Sequence, residues 1–297
     1  MNILVSGSSG LVGSALVTVL SKQGHSILRL VRKSPESSGE IQWDPETGVS
    51  DKSRLEGVDA VVHLAGESIA EGRWNAAKKA RIRDSRVKGT TLLAQDLAGL
   101  SKPPQVFICA SASGYYGNRG DEVLREDSRP GTMFLSQVCR EWEEATTPAS
   151  QAGIRVIHLR SGIILSAQGG ALVKMLPPFR MGVGGKIGSG DHYWSWIAID
   201  DVVGVIDHAI RTDSLQGPIN NASPNPVTNE AFAKTLGRIL KRPAVFPLPA
   251  FAARAAFGEM ADELLLCSFR MEPAKLIASG YVFQFPELDG ALLHLLG

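Results

Sequence analysis

Apolar residues along this chain come in short runs divided by glycine- and serine-rich turns. Residues 2–6 (NILVS) form the first run and predict a buried strand. Residues 25–31 (HSILRLV), 58–64 (VDAVVHL), 105–110 (QVFICA) and 155–160 (RVIHLR) repeat the pattern. A helix-like stretch over residues 14–22 separates the first two strands, and another ends in TLLAQDLA at residues 91–98. Alternating strands and helices predict an α/β fold with a doubly wound, mostly parallel sheet. The second half is more broken. Residues 194–199 predict a short strand, and residues 202–211 a helix started and capped by Asp200 and Asp201. Thr228 or Asn229 caps a further helix start. Residues 181–190 form a glycine-rich loop bordering the substrate cleft, and residues 243–258, rich in Pro, Ala and Phe, suit an apolar lid or interface.

The turn after the first strand is the most specific signal. Gly7, Ser8, Gly10, Leu11, Val12 and Gly13 lie in a GxxGxxG run between strand and helix. Gly7 permits the tight turn, Gly10 lets backbone amides approach a pyrophosphate, and Gly13 lets the helix pack on the strand. That arrangement predicts a dinucleotide site. An NAD site carries an acid at the end of the second strand. Here Arg32 and Lys33 stand there instead. Two cations suit a 2′-phosphate, so NADP(H) is the expected cofactor.

The third strand ends in Leu64, Ala65, Gly66 and Glu67. Small residues there let the backbone pass close to the cofactor. His63, inside the strand, reads as a packed side chain. The cations Lys78, Lys79, Arg81, Arg83, Arg86 and Lys88 read first as a solvated helix face, and second as a hold on cofactor phosphate or an acidic substrate.

Five stretches together carry a resemblance: GSSGLVG, HLAG, SASGYYG at residues 111–117, Arg160-Ser161-Gly162, and SWIAIDD at residues 195–201. They resemble the extended short-chain dehydrogenase/reductases, the NAD-dependent epimerase/dehydratase family. Residues 138–143 (VCREWE), 188–201, 270–276 (RMEPAKL) and 280–283 (GYVF) resemble its epimerase-family, cell-division-inhibitor-like branch. The resemblance implies a Rossmann domain over residues 1–165, its sheet completed by segments within 190–225. Residues 166–297 then form, in the main, a smaller C-terminal substrate lobe interleaved with it.

The family's chemistry rests on a Tyr-x-x-x-Lys pair one helical turn apart, in which the lysine lowers the tyrosine pKa. The chain has four tyrosines, and none is followed at that spacing by lysine. Aligned on Glu143, the family pattern places Leu135 and Cys139 where the pair belongs. Tyr116, Glu67 and Ser111 are the substitutes for the proton work or for holding substrate, with Ser113 beside Ser111. Arg160 either faces the cofactor or pairs with a carboxylate at its strand end.

Composition narrows the classes. Hydrophobic residues are 44% and charged residues 21% of 297, which suits a globular chain able to bury a full core. Lys plus Arg number 31 against 30 acids, so no global charge draws nucleic acid or anionic lipid. The three cysteines are too few and too scattered for a zinc cluster or disulfide framework, and no metal is expected. The uncharged N-terminus is broken by Gly7, Gly10 and Gly13 and has no basic residue before it, unlike a signal or spanning segment. The expectation is a soluble intracellular protein, cytoplasmic first and with an organelle left open. It would take an unknown small-molecule substrate and bind neither nucleic acid nor membrane, with a homodimer allowed. Two functions fit: an NADP(H)-dependent oxidoreductase or epimerase-like enzyme without the usual pair, or a non-catalytic NADP(H)-binding regulator acting through a protein partner.

Overall fold

A computed structural model describes residues 1–297. The chain opens with β1 (Asn2–Ser6), α1 (Leu11–Lys22) and β2 (Ser26–Val31). A hairpin follows, β3 (Glu40–Asp44) and β4 (Gly48–Val49), then β5 (Ala60–His63), α2 (Ala76–Ala98) and β6 (Val106–Ala112). After β7 (Val123–Leu124) come α3 (Phe134–Glu144), α4 (Thr147–Gln151), β8 (Arg155–Ser161) and β9 (Ile163–Leu165). The remainder runs α5 (Gly170–Arg180), β10 (Tyr193–Trp194), β11 (Trp196–Ala198), α6 (Ile199–Arg211), β12 (Gly217–Asn221), β13 (Val227–Thr228) and α7 (Asn229–Ile239). It closes with α8 (Ala250–Phe257), β14 (Arg270–Met271), α9 (Ala274–Ala278) and α10 (Leu288–Leu296).

Eight strands make the central sheet in the order β12-β8-β6-β5-β1-β2-β3-β4. All pair in parallel except β4, which turns back on β3. The fold is therefore α/β with a mostly parallel sheet, as the sequence predicts. Because β1 lies between β2 and β5, the chain winds outward in both directions from it. That reversal opens a crevice beyond the carboxyl ends of β1 and β5.

Alternation along β1 sends Ile3 and Val5 to one face and Leu4 to the other. Ile3 and Val5 join Leu16, Val62, Ile108 and Ile206 under α1 and α6. Leu4 joins Val61, Leu93, Phe107 and Trp142 under α2 and α3. A third cluster, with Leu172, Phe179, Trp196, Phe232 and Leu292, forms the core of the C-terminal part. No helix is long and apolar enough to cross a membrane.

Two local expectations change. The β3–β4 hairpin is an addition, built on a Glu-Ile-Gln-Trp-Asp alternation at a sheet edge. Asp200 and Asp201 lie in the first turn of α6, whose cap position is Ala198. Asp201 is fully buried and accepts from Tyr281 Oη and from the amides of Gln284 and Phe285, at 2.8–3.0 Å. It ties the C-terminal segment to the sheet rather than capping its own helix. Thr228 does cap α7, accepting from Ala231 N.

Candidate functional site

The glycine turn sits at the crevice. Gly7 has φ +65°, and a Cβ on it would lie 2.9 Å from Ala65 N, so the turn presses on the end of β5. A Cβ on Gly13 would fall 2.2 Å from Gly7 O, which is why α1 can pack so close to β1. Gly10 differs. It is exposed, and a Cβ there would meet only Gly7 O, at 3.2 Å. Gly10 is also the cap residue of α1 and gives no side-chain hydrogen bond. In contrast, Asn75 caps α2 and Thr228 caps α7. The first amides of α1, at Leu11, Val12 and Gly13, are thus left for an anion, with Ser8 half-buried beside them. Gly169 and Gly170, at the start of α5, close on Leu11.

Arg32, at the end of β2, is exposed and makes no hydrogen bond or ion pair within the protein. Lys33 is paired with Glu36 on the surface. Leu64 and Ala65 are half-buried against the turn, and Gly66 is exposed with the Arg86 guanidinium behind it.

The cationic run on α2 is a solvated face only in part: Arg81, Arg83 and Lys88 are exposed, whereas Lys79 and Arg86 are half-buried. Lys78 is buried and holds Glu67 Oε1 at 2.7 Å. Lys79 pairs with Glu259 at 2.7 Å, and Arg83 pairs with Glu141 on α3. The Lys78 hydrogen bond holds the Glu67 carboxyl below its ordinary pKa, against the opposing pull of burial. Glu67 is therefore a fixed carboxylate, the reverse of the desolvated acid that proton donation needs.

Behind the crevice lies a buried polar network. Arg160 is 3% exposed and forks onto Glu143, Nε to Oε1 at 2.8 Å and Nη2 to Oε2 at 2.9 Å. Its Nη1 donates to Tyr116 Oη and Glu126 O, both at 3.0 Å. Burial opposes the guanidinium charge, but the hydrogen bonds and charge of Glu143 outweigh it and raise the Arg160 pKa. Tyr116 Oη donates to Asn220 Oδ1 at 2.6 Å, and burial pushes its pKa up to about 12. Ser111 Oγ donates to Glu143 Oε1 at 2.7 Å. Arg160 was open between cofactor and carboxylate; it takes the carboxylate, because a fully buried guanidinium needs a paired charge. Tyr116 and Ser111 have their hydroxyls engaged in the same cluster. Ser113, half-buried at the end of β6, makes no side-chain hydrogen bond.

Leu135 and Cys139 lie on the face of α3 that meets Gly114. Both are buried, and burial pushes the Cys139 thiol up to about 12, so it neither donates nor attacks near neutral pH. Glu263, from the C-terminal part, takes the amides of Phe134 and Leu135 at 2.9 and 3.1 Å and so caps α3. Burial raises its pKa. Nothing in the spacing of the sequence points to this contact across 129 residues. His63 is fully buried, as its place inside a strand suggests, with Nδ1 2.6 Å from Ser6 Oγ.

A family model described as the NAD dependent epimerase/dehydratase family matches residues 3–222. This chain belongs to that family. A second model, described as a domain of unknown function (DUF1731), matches residues 248–295, the segment that supplies Glu263. Among relatives of this epimerase/dehydratase chain is the Epimerase family protein Mb2239 of Mycobacterium bovis. It is 45% identical, over 98% of this chain and 96% of its own. The solved structure of human epimerase family protein SDR39U1 (isoform 2) with NADPH superposes with TM-score 0.91 and 35% identity, covering 99% of each chain. A structure titled nucleoside-diphosphate sugar epimerase, from Corynebacterium glutamicum, gives TM-score 0.82 at 40% identity. It covers 100% of this chain and 58% of that one.

Proposed function

We propose that the protein is an NADP(H)-dependent oxidoreductase acting on a small molecule, with its hydride step run without a tyrosine–lysine pair. The observation that carries this reading is a contrast within one crevice. Its glycine turn has exposed Arg32 beside it at the end of β2, while the two positions of the family's pair are filled by buried Leu135 and Cys139. The glycine turn and the α1 amides would hold the pyrophosphate, and Arg32 the 2′-phosphate. When bound, NADP(H) supplies the hydride; the residues of this chain bind it, orient it and exclude water from it. The human relative solved with NADPH supports that choice of cofactor.

The protein without its pair should favour substrates whose reduction needs little help from a side-chain acid, such as activated carbonyls or conjugated double bonds. General acid–base help is worth about 10²–10⁴ in rate, so turnover of ordinary ketones should be slow by about that factor. The test is NADPH carrying deuterium at C4, incubated with a panel of such acceptors and analysed for label in product. Deuterium in any product supports the enzyme. Tight NADPH binding with no transfer, and a protein that co-purifies, supports the regulator instead. That second reading is favoured by one observation: the hydroxyls of Tyr116 and Ser111 are both held by the Glu143–Arg160–Asn220 network.

A further inference from the structure

Two stretches of the chain hold cations and no acid. Residues 170–190 carry Lys174, Arg180 and Lys186, and residues 231–258 carry Lys234, Arg238, Lys241, Arg242 and Arg254, without one Asp or Glu in either. A net charge of +1 over the whole chain conceals this separation. The fold brings the two stretches together. Phe246 N donates to Gly184 O at 3.2 Å, and Leu248 N to Lys186 O at 2.8 Å. Arg242 Nε donates to Arg180 O, at the end of α5, at 3.1 Å.

Lys186 and Lys234 meet Glu230, Arg238 meets Asp289, and Arg254 meets Asp262. Lys174 donates to Ala70 O. Arg180, Lys241 and Arg242 are exposed and have no carboxylate partner, and they lie where the loops after α5 and α7 pair. Lys241 is the one non-glycine residue with positive φ, at +54°. A lysine is unfavourable there compared with glycine or asparagine. Beside the three cations stand open apolar side chains. Met181 and Val245 are each 71% exposed, Phe246 56% and Val183 53%. Side chains this open stand out from the surface instead of lining a groove.

We propose that this pair of loops docks on an anionic bilayer surface. Arg180, Lys241 and Arg242 meet lipid phosphates and acidic headgroups, while Met181, Val245 and Phe246 enter the boundary with the acyl chains. A second copy of the chain fits poorly. A two-fold contact would set the same three cations against each other, and neither stretch has an acid to meet them. A folded protein partner would need hollows matched to side chains that project singly, whereas a fluid bilayer closes around each. The association is peripheral, since no helix is long and apolar enough to cross a membrane. It stands independently of the nucleotide reading, because none of these residues belongs to the glycine turn or to the end of β2.

Co-sedimentation of the full chain with lipid vesicles is the test. One set is phosphatidylcholine alone and the other phosphatidylcholine with about one-third phosphatidylglycerol, each at low and at physiological salt. Wild type should bind the anionic set and not the neutral one, and more weakly as salt rises. The triple variant Arg180→Gln, Lys241→Asn, Arg242→Gln should bind about hundredfold more weakly, at about fivefold per cation. Met181→Ser with Val245→Ser should weaken binding about tenfold at unchanged net charge. Unfolding midpoints and light-scattering masses are recorded alongside. If the triple variant does not fold, Lys241→Asn alone, which suits a positive φ, should still lose about fivefold. A wild type that ignores anionic vesicles, or binds both sets equally, overturns the proposal. So does undiminished binding by the apolar variant, which would leave only diffuse attraction between charges. A wild-type dimer that the apolar variant makes monomeric would give the patch to a second copy and overturn it too.

Discussion

Replacing Glu143 by Gln asks whether the cluster behind the crevice is scaffold or site. The side chain keeps its shape but loses its charge, and Arg160, 3% exposed, is left without an anion. Two parallel hydrogen bonds of 2.8 and 2.9 Å weaken, and the bond from Ser111 loses its charged acceptor. Breaking a buried ion pair from one side is worth about 3–5 kcal/mol. Unfolding entropy of about 2 cal/mol/K per residue makes that about 5–8 °C in Tm for this chain. Urea and thermal unfolding of wild type and Glu143→Gln measure the change. The double variant Glu143→Leu with Arg160→Met removes both charges and should recover much of the loss. NADPH affinity should stay within about twofold in every folded variant, since no hydrogen bond joins the pair to the glycine turn. A stability change under about 1 kcal/mol, or a large affinity loss in the double variant, would refute the scaffold role.

Three further outcomes follow from the same geometry. Arg32→Ala should bring NADPH and NADH affinities together, because an exposed, unpaired guanidinium is the group placed for the 2′-phosphate; a preference that survives would assign the phosphate elsewhere. Gly10→Val should abolish nucleotide binding in a folded protein, since a Cβ there meets only Gly7 O at 3.2 Å and otherwise points away from the core; retained binding would make the glycine run a mere turn. His63 is fully buried and burial lowers its pKa from 6.5 to about 4. Between those values the unfolded chain takes up a proton that the fold does not, so stability is complete above pH 6.5 and drops by about 3 kcal/mol toward pH 4. His63→Asn should flatten that part of the urea stability profile, and an unchanged slope would contradict it.

The first two strands and the glycine turn were legible because each is specified by contiguous residues with one local meaning. β12 is harder to read. Its sequence is GPINN, and its two buried asparagines make sense only through distant partners such as Tyr116 and Ser161. The charges of α2 are legible only in part, for a related reason: Arg81, Arg83 and Lys88 are exposed as a solvated face requires, but Lys78 is buried. Nothing local in the row marks Lys79 for the partner that the fold brings to it, Glu259, across 180 residues. Arg160 was undecided because the strand fixes its position but not which carboxylate α3 delivers. The exhaustive absence of a Tyr-x-x-x-Lys spacing needed no structure. The place of Arg86 needed one, because its contact with Gly66 joins two elements that sequence separates.

Calorimetric titration of NADPH and NADH into the purified wild-type chain, at one fixed salt concentration, tests the central claim most directly. The account predicts one saturable site with NADPH bound about tenfold or more tighter than NADH, the worth of one charge-assisted phosphate contact. Equal affinities, or no heat with either nucleotide, would contradict it.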